Sequence, residues 1–160
     1  MPRIARLKFH DPEEGYYHII SRIVLKSFLL EEGEKEYFLS LLKKLSQVYF
    51  VKVQGFTIMS NHVHLICQMI PGDVINDDEL KKRFEKYYNE GKPLKKRRVF
   101  FKHDYEDYRK RWGDVSKFVQ DLKQRFSRWY NKKHNGHGHV WSERFKNVLL
   151  NGDRALLACA

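Results

Sequence analysis

Between Asn61 and Met69 the sequence alternates without a break. Val63, Leu65, Cys67 and Met69 are apolar, and the places between them open with His62 and His64. Successive strand residues face opposite sides, so this period of two specifies a β-strand with one face in a core and two imidazoles on the other. The two histidine Cα atoms are then ~6.6 Å apart, and metal–nitrogen bonds of about 2 Å let both rings lean onto one divalent ion. A His-x-His pair can also be no more than two partly exposed histidines, and the motif alone does not separate these readings. The run Lys52 to Met59 reads as a second strand, joined to the first by a tight turn at Ser60-Asn61. The resulting hairpin presents the histidines close to its turn on a rigid element, where a reactive site is best held.

A chain of 160 residues suits one domain over 1–160 with a real core, and 42% hydrophobic with 14% aromatic content excludes a disordered polymer. The formal charge of +11 is extreme for that length and points to a polyanion, with nucleic acid favoured over an anionic membrane surface. No apolar run approaches a membrane span and the N-terminus has no signal-peptide core, so a cytoplasmic protein is expected. Cys67 and Cys159 make neither a disulfide framework nor a metal cluster, which fits a reduced compartment.

The segment Met1 to Lys8 is basic and extended, and Tyr16 to Ile23 forms the first strand, with His18 inside it. His18 is expected as a hydrogen-bonded structural histidine, although a sheet could bring it near the pair. From Gly33 to Tyr49, Tyr37, Phe38, Leu41, Leu42, Leu45 and Val48 fall at helical spacing, giving an amphipathic helix packed on the sheet. Val115 to Tyr130 marks a second long helix with Asp114 or Ser116 as N-cap. Its other face carries Lys117, Lys123, Arg125, Arg128 and Lys132, a phosphate-tracking ridge. His134, His137 and His139 lie in a glycine-containing turn rather than a second metal site. Val140 to Leu150 is predicted as the last strand and Arg154 to Ala160 as the start of a helix.

A basic insertion at about 71–113 interrupts this order. Asp77 to Tyr88 is predicted helical, and Lys95, Lys96, Arg97 and Arg98 form a loop of concentrated charge. Behind it, Val99 to Trp112 interleaves aromatic and basic residues. That pattern suits single-stranded nucleic acid, with bases stacked on rings and phosphates on lysines, and it suits equally a charged loop whose aromatics tuck into the body. The order β-α-β-β-α-β specifies an α+β fold of the ferredoxin-like, RRM-like class: a four-stranded antiparallel sheet with helices on one face. Fold alone does not name a function.

Tyr17-His18-Ile19-Ile20-Ser21-Arg22, Met59-Ser60-Asn61-His62-Val63-His64-Leu65, Leu122 to Asn131, Gly138-His139-Val140-Trp141 and Arg144-Phe145-Lys146 together resemble the single-tyrosine HUH transposases. Within them, the chain is most similar to the REP-associated tyrosine transposases of bacteria. The resemblance covers nearly the whole chain, least in the insertion. It implies a cytoplasmic, nucleoid-associated enzyme that nicks single-stranded DNA, often beside a hairpin. His62 and His64 would hold Mg²⁺ or Mn²⁺ on the scissile phosphate, while a tyrosine attacks it to leave a 5′-phosphotyrosine and a free 3′-hydroxyl. Charge and resemblance together assign nucleic-acid binding to Arg22, Lys95, Lys96, Arg97, Arg98, Arg125, Arg128, Lys132 and Arg144. Relatives of this kind work as monomers or homodimers.

The family's tyrosine follows the last strand, and by alignment with that pattern it would fall just beyond Ala160. The expectation is therefore a truncated chain carrying half of an active site, with the catalytic residue unknown. Tyr130 is a possible substitute, although its spacing places it on an apolar stripe. Two further readings stand beside the enzyme: a non-catalytic nucleic-acid-binding relative, and an RNA-binding domain with incidental histidines.

Overall fold

The structure, a computed structural model, describes residues 7–9, 15–24 and 30–151. Among the described residues the strands and α-helices follow in the order β1 (Gly15–Arg22), α1 (Glu32–Ser46), β2 (Val51–Ile58), β3 (His62–Met69), α2 (Asp77–Phe84), α3 (Asp104–Trp112), α4 (Val115–Lys133) and β4 (Lys146–Asn151). The strands form one antiparallel sheet in the order β2-β3-β1-β4. This is the expected β-α-β-β-α-β arrangement, with α2 and α3 added between β3 and α4. The basic segment Met1 to Arg6 and the helix expected from Arg154 lie outside the described residues.

The alternation in β3 sorts its faces as the sequence requires. Val63, Leu65, Cys67 and Met69 are buried against Tyr17 and Ile19 of β1, Phe38, Leu42 and Leu45 of α1, and Phe118, Leu122 and Phe126 of α4. Full burial of side chains this size stabilises by roughly 1.5–3 kcal/mol each, so α1 and α4 are held to that one face. Both helices also match their macrodipoles: Glu32 and Glu34 open α1, and basic residues close both. Asp114 caps α4, its Oδ1 accepting from Ser116 N at 2.6 Å and from Lys117 N at 3.4 Å.

β2 carries a bulge. Val53 pairs with Cys67 but Gly55 pairs with Ile66, so Gln54 is an extra residue and the strand's parity flips beyond it. Thr57 thereby comes opposite His64 on the polar face, and Phe56 opposite Leu65.

Residues 70–113 form a packed layer. Phe84 is 1% exposed, with the rings of Tyr88, Phe100 and Tyr108 around it at 4.8, 5.0 and 5.3 Å. Asn89 pins the basic loop: its Oδ1 accepts from Arg98 N at 2.7 Å and its Nδ2 donates to Arg98 O at 2.9 Å. Arg109 ties α3 down through Ile75 O at 2.7 Å and Asp77 Oδ1 at 2.8 Å. Of the two readings of this segment, the aromatics therefore tuck into the body. Phe101 is an exception, exposed and stacked on His103.

Beyond shifts of a few residues at helix ends, two elements differ from the sequence expectation. The helix α3 begins at Asp104, inside a run read only as interleaved aromatic and basic residues. The last strand begins at Lys146 rather than Val140. Residues 140–145 spend their backbone groups elsewhere: Val140 O accepts from Val24 N, Ser142 N donates to Arg22 O, and Glu143 O accepts from Lys123 Nζ. Val140 and Phe145 remain buried, so apolar content there reflects packing without a continuous ladder.

Candidate functional site

Pairing across the sheet decides what surrounds the two histidines. His62 lies opposite Arg22 and His64 opposite Ile20, and directly paired residues share a face. Arg22, His18, Thr57 and Lys146 (itself opposite Ile20) are thus on the same face as the pair. The His62 and His64 ring centroids are 5.0 Å apart.

Each of these rings has one nitrogen already engaged. His62 Nδ1 donates to Asn61 Oδ1 at 2.6 Å, and His64 Nδ1 lies 2.9 Å from Nε2 of His18. The Asn61 contact fixes the His62 tautomer with Nε2 able to ligate, and His64 Nε2 is able to ligate when its Nδ1 donates to His18. Partial burial, then the neighbouring His64 and Arg22, hold His62 below the usual histidine range; burial and His64 do the same to His18. Metal ligation needs neutral imidazole, so these shifts favour it. The donor set fits a divalent cation that draws its remaining ligands from substrate or water. Among the described residues no group of three His, Cys, Asp or Glu side chains converges on one point. His18 spends its Nε2 on His64 instead of completing such a set. His18 is hydrogen-bonded as expected, with His64 as the partner that the pairing register supplies. Thr57 and Lys146 carry no signal in the sequence, because the bulge and the β4 register are not visible there.

The basic residues assigned to nucleic-acid binding do not form one surface. Arg22 is exposed beside His62. Arg128 and Arg144, both exposed, line a groove of about 1060 Å³ between α4 and residues 138–145, which Lys117 and Lys123 also line. Lys95, Lys96, Arg97 and Arg98 are exposed on the inserted layer, where Arg97 donates to Lys92 O and Arg98 sits 4.6 Å over the Tyr88 ring. Lys132 is exposed at the end of α4. Arg125 departs from the ridge it was assigned to: half-buried, it donates to Asp121 Oδ1 at 2.9 Å and covers the Tyr87 ring.

Tyr130 is 4% exposed, packed on Phe126 and on His134, and it lies in the core on the sheet face opposite the histidines. Burial, then Glu34 and Glu31, push its hydroxyl pKa up. It is not a substitute nucleophile. Tyr17 is equally a core residue, its hydroxyl accepting from Phe9 N at 3.0 Å. His134, at the end of α4, lies 3.0 Å from Glu34 Oε1.

Among solved structures, the fold is similar to a REP-associated tyrosine transposase determined bound to a REP hairpin. The TM-score is 0.62 at 11% identity, covering 99% of this chain and 68% of that one. A candidate transposase from Deinococcus radiodurans R1 also matches, with TM-score 0.46 and 11% identity over 97% of this chain and 92% of the other. No curated protein matches in sequence. The family model for the IS200-like transposases matches residues 13–108, from β1 with His18 and Arg22 through the histidine hairpin and into α3. With more than half of its length matched, this chain belongs to the IS200-like transposase family.

Proposed function

We propose that the protein acts on single-stranded or hairpin DNA as a nicking and strand-transfer enzyme, with His62 and His64 as the ligands of a divalent cation, Mg²⁺ or Mn²⁺. The observation that carries this reading is that both imidazoles stand on one open sheet face with their Nδ1 atoms already engaged. A bound cation would supply Lewis-acid polarisation of the scissile phosphate. Arg22, exposed beside His62, adds positive charge where the phosphorane develops. Thr57 and Lys146 border the same face and can hold non-bridging oxygens or water. In the strand-transfer reaction a tyrosyl oxygen bonds to phosphorus as the P–O3′ bond breaks, leaving a 5′-phosphotyrosine and a 3′-hydroxyl. The same bond energy is then available for rejoining.

Nucleic-acid binding without cleavage is the second reading, and one observation favours it. On the histidine face Tyr16 is the sole described tyrosine, and it stands four residues from Ile20, about 13 Å along β1 from the level of His64. Calorimetry with Mn²⁺ and a denaturing gel of a labelled single strand test both. One Mn²⁺ bound per chain, lost in His62→Ala and His64→Ala, together with a metal-dependent protein–DNA adduct, supports the enzyme. Mn²⁺ and DNA binding with no adduct supports the second reading. Unchanged Mn²⁺ affinity in both variants removes the site.

A further inference from the structure

One ridge of α4 places two amides between two cations. Lys117, Gln120, Gln124 and Arg128 are three and four residues apart, so they share a helix face over about 16 Å of axis. All four are exposed and line the groove whose opposite wall is built by residues 138–145. That wall is shaped by the chain's exit from α4. Asn135 takes a left-handed φ of 48° and Gly138 a φ of 101°, and Asn131 Nδ2 donates to Gly138 O at 3.1 Å. Trp141 then inserts half-buried beside Phe126 with its Nε1 donating to Lys123 O, while Arg144 is exposed on the rim. Glu143 is the acidic group here, and its carboxylate sits 3.4 Å from Lys146 Nζ.

The groove also connects to the histidine face. Ser142 N donates to Arg22 O at 3.0 Å, and Ile23 bridges to Trp141. The wall thus ends against the strand end where Arg22 lies opposite His62.

We infer that this groove is a binding site for one unpaired DNA strand, holding the segment that flanks the phosphate presented to His62 and His64. Lys117, Arg128 and Arg144 take its phosphates, and the Gln120 and Gln124 amides meet base edges. Amides offer a donor and an acceptor together, the pattern adenine presents, whereas a purely electrostatic track has no use for them. A strand leaving past Ser142 reaches Arg22 without crossing the sheet. The inference rests on the proposed function for the strand's destination, while the groove's occupancy by DNA stands on its own charge and shape.

Fluorescence anisotropy of a labelled single-stranded oligonucleotide, measured in EDTA, tests it apart from any metal chemistry. The double variant Arg128→Ala/Arg144→Ala should bind about tenfold more weakly and flatten the log–log salt slope by about 1.4, the loss of two phosphate contacts. Lys43→Ala, on the exposed face of α1, should leave binding unchanged. Gln120→Ala/Gln124→Ala should keep oligo-dT affinity and reduce any preference for adenine-containing strands. Wild-type affinity in the arginine variant, with loss in Lys95→Ala/Lys96→Ala instead, would place the strand on the inserted layer and overturn the inference. So would displacement of the oligonucleotide by poly-glutamate at equal charge, which would mark an acidic protein partner. Failure of the metal titration with the arginine result as expected would sink the enzyme and leave the groove.

Discussion

His18 Nε2 lies 2.9 Å from His64 Nδ1 although 46 residues separate them in sequence. The β1–β3 register creates the contact: His64 faces Ile20, so His18 is its diagonal neighbour on the same face. A ring nitrogen held in this way turns the opposite nitrogen outward, and loss of such a partner typically weakens metal binding by 10–100-fold. His18→Ala is expected to lower Mn²⁺ affinity by about tenfold with an unchanged far-ultraviolet spectrum. His18→Gln, which can still reach Nδ1, should recover part of it. Wild-type affinity in His18→Ala, measured by calorimetry, would show that the contact does not orient His64.

The start of α4 depends on Asp114, whose two oxygens do different work. Oδ1 caps Ser116 and Lys117, while Oδ2 receives Lys8 Nζ at 2.8 Å. Asp114→Ala should cost about 1–2 kcal/mol, nearly all of it from the lost cap. Asp114→Asn keeps an acceptor and should lose under about 1 kcal/mol, since the Lys8 pair is partly exposed. Urea titrations of the two variants check this, and equal losses would mean that the ion pair, not the cap, holds the helix start.

These contacts show where the sequence is informative and where it stops. The strand β3, its two faces and the apolar stripes of α1 and α4 follow from period alone, because burial of one side is the dominant force on each. The placing of His62 and His64 on an open face follows from the same alternation. The partnership of His18 with His64 needed the pairing register, and Thr57 needed a bulge at Gln54 that a one-residue shift in the count conceals. The helix α3 was within reach: Asp104, Glu106 and Asp107 precede Arg109, Lys110 and Arg111, a charge order matching the helix dipole. Its aromatic residues suit base stacking and burial equally well in the sequence. Whether Phe84, Phe100 and Tyr108 stack on bases or on each other is decided by tertiary packing.

Glu34 is a buried carboxylate whose ionisation should be visible in stability. Burial by itself would push its pKa up, but Lys133 Nζ at 2.6 Å and His134 Nε2 at 3.0 Å, with its own backbone N–H, hold it below the usual carboxylate range. The folded state therefore binds the proton less readily than the unfolded chain, whose glutamate titrates near about 4.3. Stability from this site is complete above that pH and is lost as pH falls through the lower folded value. Against Glu34→Gln, wild type should be more stable by about 1–3 kcal/mol near neutrality, discounted because Lys133 is 43% exposed. The difference should begin to shrink only as pH falls below about 4.3. A gap between the two urea curves that is the same at acid and neutral pH would exclude this account.

The inserted layer should unfold before the sheet when its central ring is removed. Phe84 is ringed by Tyr88, Phe100 and Tyr108, and that cluster continues to Trp112, whose ring lies 4.8 Å from Tyr108. Trp112 O in turn accepts from Phe50 N, and Arg83 of α2 donates to Val48 O and Tyr49 O, so hydrogen bonds join the layer to the lead-in of β2. Phe84→Ala should cost about 3–5 kcal/mol, by loss of burial and by the cavity left among rings that cannot all close in. Phe101, 53% exposed, is the control, and Phe101→Ala should stay within about 0.5 kcal/mol. Hydrogen exchange locates the effect. Amides of α2 and α3 should exchange faster in Phe84→Ala while those of β1 and β3 keep their protection, because the rings around Phe84 (Tyr88, Phe100 and Tyr108) all belong to the inserted layer. Equal acceleration in β3 would show that the layer and the sheet fold as one unit, so that the histidine hairpin depends on the insertion for its stability.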